Sequence, residues 1–382
     1  MERWDSVRLL IINSEFPPVG AGAGNASANI ARQLVRLGSE VVVVTAGFEG
    51  LAEDETLDGV RILRGPAYRK RVDRSTALEQ VVFILGATFR CLALAPSFRP
   101  DVVLAFFGLP SGVIAWVLKQ IHRIPYVVSL RGGDVPGFRP YDFWLYHRIA
   151  VPFLRIVWHG AKAIVANSEG LRELALAFDS SVDISIIPNG VDESRFWNAE
   201  RTWSNPTILS VGRIVHQKGL DLIVTSLAGL RDLEWDWRIA GDGPDLPYLK
   251  AMLTKAGIER RAHFLGWMNT EQLISEYQTA SLFVFPSRHE GMPNALLEAM
   301  ASGLPVIASA IAGNEELVIP GLTGMLVPTE DVDALREALS AFLGDEGKRE
   351  RMGRAARDRA AEKYGWDAAA GQYKEMLERV AR

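Results

Sequence analysis

Cysteine is almost absent: Cys91 stands alone among 382 residues. One thiol excludes an intramolecular disulfide and a thiolate zinc cluster and favours a reducing compartment, so the expected location is the cytoplasm. An excess of positive charge is missing too. Lys and Arg number 42 against 46 Asp and Glu, a formal net charge of −4. Residues 1–190 hold 20 against 18 and the remainder 22 against 28, so neither half has the basic surface of a nucleic-acid binder. Long hydrophobic runs are also lacking. The most apolar window, Val81 to Pro96, is broken by Gly86, Thr88 and Arg90 and is too short to cross a bilayer. The opening M-E-R-W-D-S-V-R enters a strand-like run without the apolar stretch and cleavage site of a signal peptide. Neither a transmembrane helix nor export is expected.

What remains is an ordinary globular composition, 48% hydrophobic and 23% charged, with length enough for two α/β domains. Short β-branched runs alternate with helical patterns at Val7–Asn13, Val41–Thr45, Val60–Leu63, Asp101–Phe106, Tyr126–Leu130, Ala163–Asn167 and Ser185–Ile187. The alternation restarts at Thr207–Val211, Trp237–Ala240, His263–Leu265, Leu282–Phe285, Pro305–Ala308 and Met325–Val327. Such a pattern predicts two parallel sheets covered by helices. The turn-rich stretch around Pro188, Asn189 and Gly190 puts the boundary near residue 190. Two doubly wound domains meeting edge to edge would place the carboxyl ends of both sheets around one cleft, where such sheets bind ligands.

Three stretches carry chemistry. After the first strand, F-P-P-V-G-A-G-A-G-N supplies Gly20, Gly22 and Gly24 before a helix, a loop suited to an anion or, alternatively, one needed only for packing. A dinucleotide site would want an acidic residue ending the second strand, but the chain there reads Thr45, Ala46, Gly47. In S-V-G-R-I-V-H-Q-K-G-L, a strand delivers Gly212, Arg213 and Lys218 to one loop. A planar fork and a point charge together can neutralise a departing diphosphate; a solvated basic loop is the alternative. In F-V-F-P-S-R-H-E-G-M-P-N-A-L-L-E-A-M-A, a loop bears Glu290 and a helix bears Glu298 among residues fit for burial. An unpaired carboxylate there would be costly, so Glu298 should have a partner, a ligand hydroxyl being one; a salt-bridged loop and a solvated helix face are the alternative for the two glutamates. The helix start near Met292 to Ala295 offers unsatisfied amides, and Pro293 gives up a donor that would be idle.

With these residues the chain resembles the GT-B glycosyltransferases, specifically the large retaining family numbered four. It is similar to that family in the F-P-P loop, A-K-A-I-V-A-N-S at 161–168, I-I-P-N-G-V-D at 186–192 and V-G-R-I-V-H-Q-K-G at 211–219. The likeness continues in A-G-D-G-P at 240–244, F-L-G-W at 264–267, the two glutamates and the aromatic segment around Trp366. The resemblance implies two Rossmann-like doubly wound domains facing a central cleft. Residues 1–190 would form the acceptor-side domain and 191–365 the nucleotide-sugar domain, with 366–382 a helix packing back on the first. It implies that Arg213 and Lys218 bind the donor diphosphate, Glu298 the ribose and Glu290 the transferred sugar. Gly22, Gly212, Gly291, Met292, Pro293 and Asn294 would add donor contacts, and Asp242, Gly243 and Trp267 would lie by the base.

The implied reaction moves a hexose-type sugar from a UDP- or GDP-linked donor to a saccharide or lipid-linked acceptor, with retention and without a cofactor. No D-x-D-like pair stands in the right context for a bridging metal, since D-V-D at 331–333 opens a remote helix, so metal-independent activity is expected. Many relatives carry a histidine where this chain has Arg131, which cannot accept a proton near neutral pH. Arg131 and Asp134 are secondary candidates for touching acceptor or sugar. Basic residues at 64–74 beside the apolar stretch allow peripheral membrane contact or, equally, a basic loop and a core helix. A nucleotide-sugar epimerase on the same fold and a non-catalytic nucleotide-sugar-binding module are the alternative functions.

Overall fold

The computed structural model describes residues 7–20, 22–65, 69, 71, 75–138, 140–197, 203 and 206–382, the side chains of 140–147 and 149 excepted. The chain divides into two compact units, Met1–Asn189 with Trp366–Arg382, and Gly190–Gly365.

The first unit runs β1 (Arg8–Asn13), α1 (Gly22–Arg36), β2 (Glu40–Ala46), β3 (Asp54–Leu57), β4 (Val60–Gly65), α2 (Ala77–Phe98) and β5 (Val102–Phe106). It continues with α3 (Gly112–His122), β6 (Tyr126–Ser129), α4 (Pro140–Gly160), β7 (Ala163–Ala166), α5 (Glu169–Phe178) and β8 (Ile184–Ile186). Among the described residues its sheet has the order β3-β4-β2-β1-β5-β6-β7-β8. All pairings are parallel except β3 with β4. Strand β3 was not anticipated. Its sequence D-E-T-L is polar and largely exposed, as an edge strand tolerates. The two-residue Asp58-Gly59 turn, both residues at positive φ, closes the hairpin.

The second unit begins with α6 (Glu193–Phe196), β9 (Thr207–Val211), α7 (Leu220–Ala228), β10 (Asp236–Ala240), α8 (Leu246–Ala256) and β11 (Ala262–Gly266). It follows with α9 (Thr270–Thr279), β12 (Leu282–Phe285), α10 (Asn294–Ala301), β13 (Val306–Ser309), α11 (Ala312–Glu315), β14 (Gly324–Val327), α12 (Val332–Leu343) and α13 (Glu346–Lys363). Its sheet is parallel throughout, in the order β11-β10-β9-β12-β13-β14. The last helix, α14 (Trp366–Ala381), belongs to the first unit, where Trp366, Tyr373 and Leu377 pack with Leu9, Ile11 and Leu104.

Both sheets are buried on two faces, and strict alternation shows how. Leu10 and Ile12 of β1 enter one core and Leu9 and Ile11 the other. In β9, Ile208 and Leu209 divide the same way. Each such side chain, fully buried, contributes roughly 1.5–3 kcal/mol, which is why these strands read as continuous apolar runs.

Helix α2 corrects the expectation about its apolar run. A Thr76 cap with Glu79 starts the helix before Val81, and it extends over 22 residues, long and apolar enough to cross a membrane by length and composition. Thr88 does not interrupt it, because its hydroxyl donates to the Ile84 carbonyl at 2.6 Å. Phe83, Ala87, Cys91 and Ala95 face the core, while Leu78, Val81, Leu85 and Phe89 on other faces are exposed.

Candidate functional site

In the second unit β9 is flanked by β10 on one side and β12 on the other. That reversal of strand order opens a crevice beyond the carboxyl ends of β9 and β12, the place where doubly wound sheets bind ligands. Both of the loops singled out by sequence start there: Gly212 to Gly219 leaves β9, and Pro286 to Pro293 leaves β12. A third turn, Gly241 to Pro244 after β10, packs against the first. Ile214 N–H donates to the Asp242 carbonyl at 2.9 Å and Gly212 N–H to that of Ala240 at 3.0 Å. Gly241 sits at φ +146°, and a Cβ there would fall 1.9 Å from the Gly212 oxygen, so only glycine fits.

Lys218 and Glu290 meet directly. The Lys218 Nζ donates to Glu290 Oε1 at 2.6 Å, with side chains 17% and 10% exposed. The same ammonium lies 4.6 Å from the centre of the Phe285 ring. Ser210, Gly212, Arg213, Lys218 and Phe285 line one small recess. The Arg213 guanidinium in it forms no ion pair or hydrogen bond with any described side chain. A largely buried cation–anion pair beside a guanidinium with no side-chain partner among the described residues is thus a ready anion site.

Glu298 stands in α10, inside a row of buried neighbours, Leu297, Ala299 and Met300. Its Oε2 accepts from the Tyr277 hydroxyl at 3.0 Å. Burial pushes the carboxyl up to about 7, and the hydrogen bond from Tyr277 opposes that rise. The partner that the sequence reading asked for is therefore an internal phenol from α9, which that reading missed. An aromatic ladder links it to the cation site: Tyr277 to Phe283 at 5.9 Å, Phe283 stacked on Phe285 at 5.8 Å.

The other donor-side residues fall around these loops. Met292 is buried, Pro293 holds the cap position of α10 and Asn294 opens it, with Gly291 preceding. Asp242 turns its carboxylate onto the Gly243 amide at 2.7 Å, and Trp267, just past β11, is 62% exposed.

In the first unit Gly22 opens α1, and Asn13 braces that loop by donating to Ser27 Oγ at 2.9 Å. Arg131 and Asp134 are both engaged internally. Arg131 donates to Asn189 Oδ1 at 2.6 Å and to the Tyr373 hydroxyl at 3.2 Å, with its guanidinium 4.4 Å from the Phe106 ring centre. Asp134 accepts backbone N–H bonds from Gly108, Arg131 and Gly132 at 2.6, 3.0 and 3.1 Å. Desolvation raises its pKa against those bonds. The basic stretch at 64–74 is partly buried. Arg64 and Arg69 are buried, Arg69 donating to the Ser14 and Arg71 carbonyls at 3.1 Å, while Lys70 and Arg74 lie outside the described residues.

These two parallel doubly wound units, the second with cations and carboxylates at its switch point, have the GT-B architecture. A solved sucrose-phosphate synthase from Thermosynechococcus elongatus superposes with a TM-score of 0.87 at 21% identity, covering 98% of each chain. The sequence model of the glycosyl transferases group 1 matches residues 193–359, and that of the glycosyl transferase 4-like domain matches 21–190. The chain belongs to the group 1 glycosyltransferases. Two full-length relatives agree. A glycosyltransferase of Methanocaldococcus jannaschii is 27% identical over 98% of this chain and 100% of its own. A GDP-mannose-dependent alpha-(1-6)-phosphatidylinositol monomannoside mannosyltransferase of Mycolicibacterium smegmatis is 26% identical over 97% and 98%.

Proposed function

We propose that this glycosyltransferase moves a hexose-type sugar from a UDP- or GDP-linked donor to a saccharide or lipid-linked acceptor, with retention and without a metal ion. The observation that carries this reading is the Lys218–Glu290 contact of 2.6 Å beside Arg213, which has no side-chain partner among the described residues. The anomeric carbon to phosphate oxygen bond breaks while the acceptor oxygen bonds to that carbon on the same face. The acceptor proton passes to the departing phosphate oxygen, so no enzymic nucleophile is needed. Negative charge grows on the diphosphate as it leaves, and Arg213 and Lys218 stabilise it where another enzyme would use a cation. Glu290 accepts from hydroxyls of the transferred sugar and Glu298 from the ribose.

Purified protein incubated with single UDP- and GDP-sugars, with and without acceptors, should release nucleoside diphosphate at a rate unchanged by a chelator. Proton NMR of the product should show the donor's anomeric configuration. Arg213→Ala, Lys218→Ala and Glu290→Ala should each lower turnover by roughly 10²–10³-fold with folding intact. An inverted product would overturn the retention, and a new epimeric nucleotide sugar formed without acceptor would make the protein an epimerase.

We also propose cytoplasmic residence with peripheral membrane contact through the first unit. Leu78, Val81, Leu85 and Phe89 expose a broad apolar surface along α2, with Arg71, Arg99 and Arg123 exposed in the same unit. Flotation with anionic liposomes tests it: loss on Leu85→Ser/Phe89→Ser supports the contact, and equal flotation removes it.

A further inference from the structure

Arg288 lies two residues before Glu290, on the loop that leaves β12, yet it bonds neither Lys218 nor Glu290. Its side chain is 9% exposed. Its guanidinium is fully occupied. Nη1 and Nη2 grip the two carboxylate oxygens of Asp221 at 3.0 and 2.8 Å, and Nη1 also donates to the His216 carbonyl. Nε donates to Glu330 Oε1 and Nη2 to Glu330 Oε2 at 3.2 Å. Five N–H groups meet five acceptors, so the fork has no donor left for a substrate.

The acceptors reveal what is being joined. His216 belongs to the short turn that ends in Lys218, Asp221 to the first turn of α7, and Glu330 to the segment between β14 and α12. Further hydrogen bonds add to the seam. The Arg288 N–H donates to the Gln217 carbonyl at 2.7 Å, and Gln217 Nε2 donates to the His289 carbonyl at 2.6 Å. Gly219 lets the loops close up, since a Cβ there would lie 2.2 Å from the Pro286 oxygen. Lys218 sits on one side of this seam and Glu290 on the other.

We propose that Arg288 is a positioning residue for sugar transfer. By locking the loop after β9 to the loop after β12, it holds Lys218 and Glu290 in their contact. The proposal rests on the transferase reading above. It assigns Arg288 no contact with donor or acceptor: the residue acts through the geometry of the two groups that have one. Only arginine supplies a planar fork that spans a carboxylate, a carbonyl and a second carboxylate at once.

Wild-type protein, Arg288→Met, Arg288→Lys, Asp221→Asn and Glu330→Ala would be compared in kcat and KM with UDP-glucose or GDP-mannose, whichever the wild type turns over. Calorimetry gives the Kd for the matching nucleoside diphosphate, and thermal unfolding checks the fold. Misplacing a catalytic group by about 1 Å costs roughly 10²-fold in rate, so Arg288→Met should lower kcat by about that factor. KM and Kd should stay within about threefold, because the Arg213 side of the anion site is untouched. Arg288→Lys should recover part of the rate, Asp221→Asn should cost about tenfold, and Glu330→Ala, which trims an exposed partner, little. Should Arg288→Met fail to fold, Asp221→Asn decides by the same split. Unchanged kcat in Arg288→Met, or kcat falling only in proportion to the folded fraction, overturns the positioning role. Wild-type turnover in Lys218→Ala would instead overturn the transferase reading, so the two failures are distinguishable.

Discussion

Replacing Glu298 by Gln is expected to stabilise the protein at pH 8 and far less at pH 5. Burial raises the Glu298 carboxyl from 4.5 to about 7 even though the Tyr277 hydroxyl holds it. In the unfolded chain it titrates near its ordinary value. Below pH 4.5 it is protonated in both states and affects stability little. Between there and about pH 7 the unfolded state gives up its proton more readily, so stability falls as pH rises. Above about pH 7 the whole penalty is present, and the separation from 4.5 to about 7 amounts to roughly 3 kcal/mol. Glutamine keeps an acceptor for Tyr277 and has no proton to lose. Urea unfolding at both pH values should show Glu298→Gln about 3 kcal/mol above the parent at pH 8, with only a small part of that gain at pH 5. The same variant should bind donor roughly ten- to a hundredfold more weakly, the worth of a hydrogen bond to a charged group. A gain of equal size at both pH values, or a loss at pH 8, would refute the picture of a buried ionisable carboxylate.

Trp237 is fully buried, with its indole N–H donating to Ser210 Oγ at 3.1 Å. Trp237→Ala should cost about 3–5 kcal/mol by equilibrium unfolding. Gly241→Ala should lose nucleotide diphosphate binding by calorimetry, because its Cβ would collide with the Gly212 oxygen and drive apart the turns on which Arg213 rests. Tyr373→Phe removes the hydroxyl that meets Ser129 Oγ at 2.8 Å and receives Arg131. It should lower stability by about 1–3 kcal/mol while leaving donor KM unchanged in steady-state assays.

The parallel strands were legible because burial on both faces leaves an unbroken β-branched run, which no polar loop imitates. Strand β3 was not, since an edge that faces water needs no such run; the Asp-Gly step at 58–59 was its only signal. Helix α2 shows a similar failure. Gly86 and Thr88 read as breaks, but a helix absorbs a glycine at modest cost and satisfies a threonine hydroxyl from its own backbone. The cations and carboxylates of the site were visible as charges where strands end. Their partners were not visible. Tyr277 lies 21 residues before Glu298 in a helix of mostly polar residues, and only the fold turns it inward. Arg288 looks like any loop arginine until Asp221 and Glu330 converge on it, and Arg64 and Arg69 look like surface charge although both are buried.

The Lys218–Glu290 pair raises one further physical question. Two charges held at 2.6 Å with 17% and 10% exposure have lost much of their hydration, and pairs of this kind contribute little net stability. Stability is therefore a poor reason for building it. A better reason lies in what the pair does to the lysine: it fixes a flexible chain and cancels its charge until a stronger anion arrives. A diphosphate carries more negative charge than one carboxylate, and its charge grows while the sugar bond lengthens. Attraction between Lys218 and Glu290 stays constant over that step, whereas attraction between Lys218 and the leaving group rises. Only the rising interaction lowers the barrier. On the proposed reading, Glu290 keeps the ammonium where that rise counts most, and the Arg213 guanidinium, without a side-chain partner among the described residues, draws the anion in first.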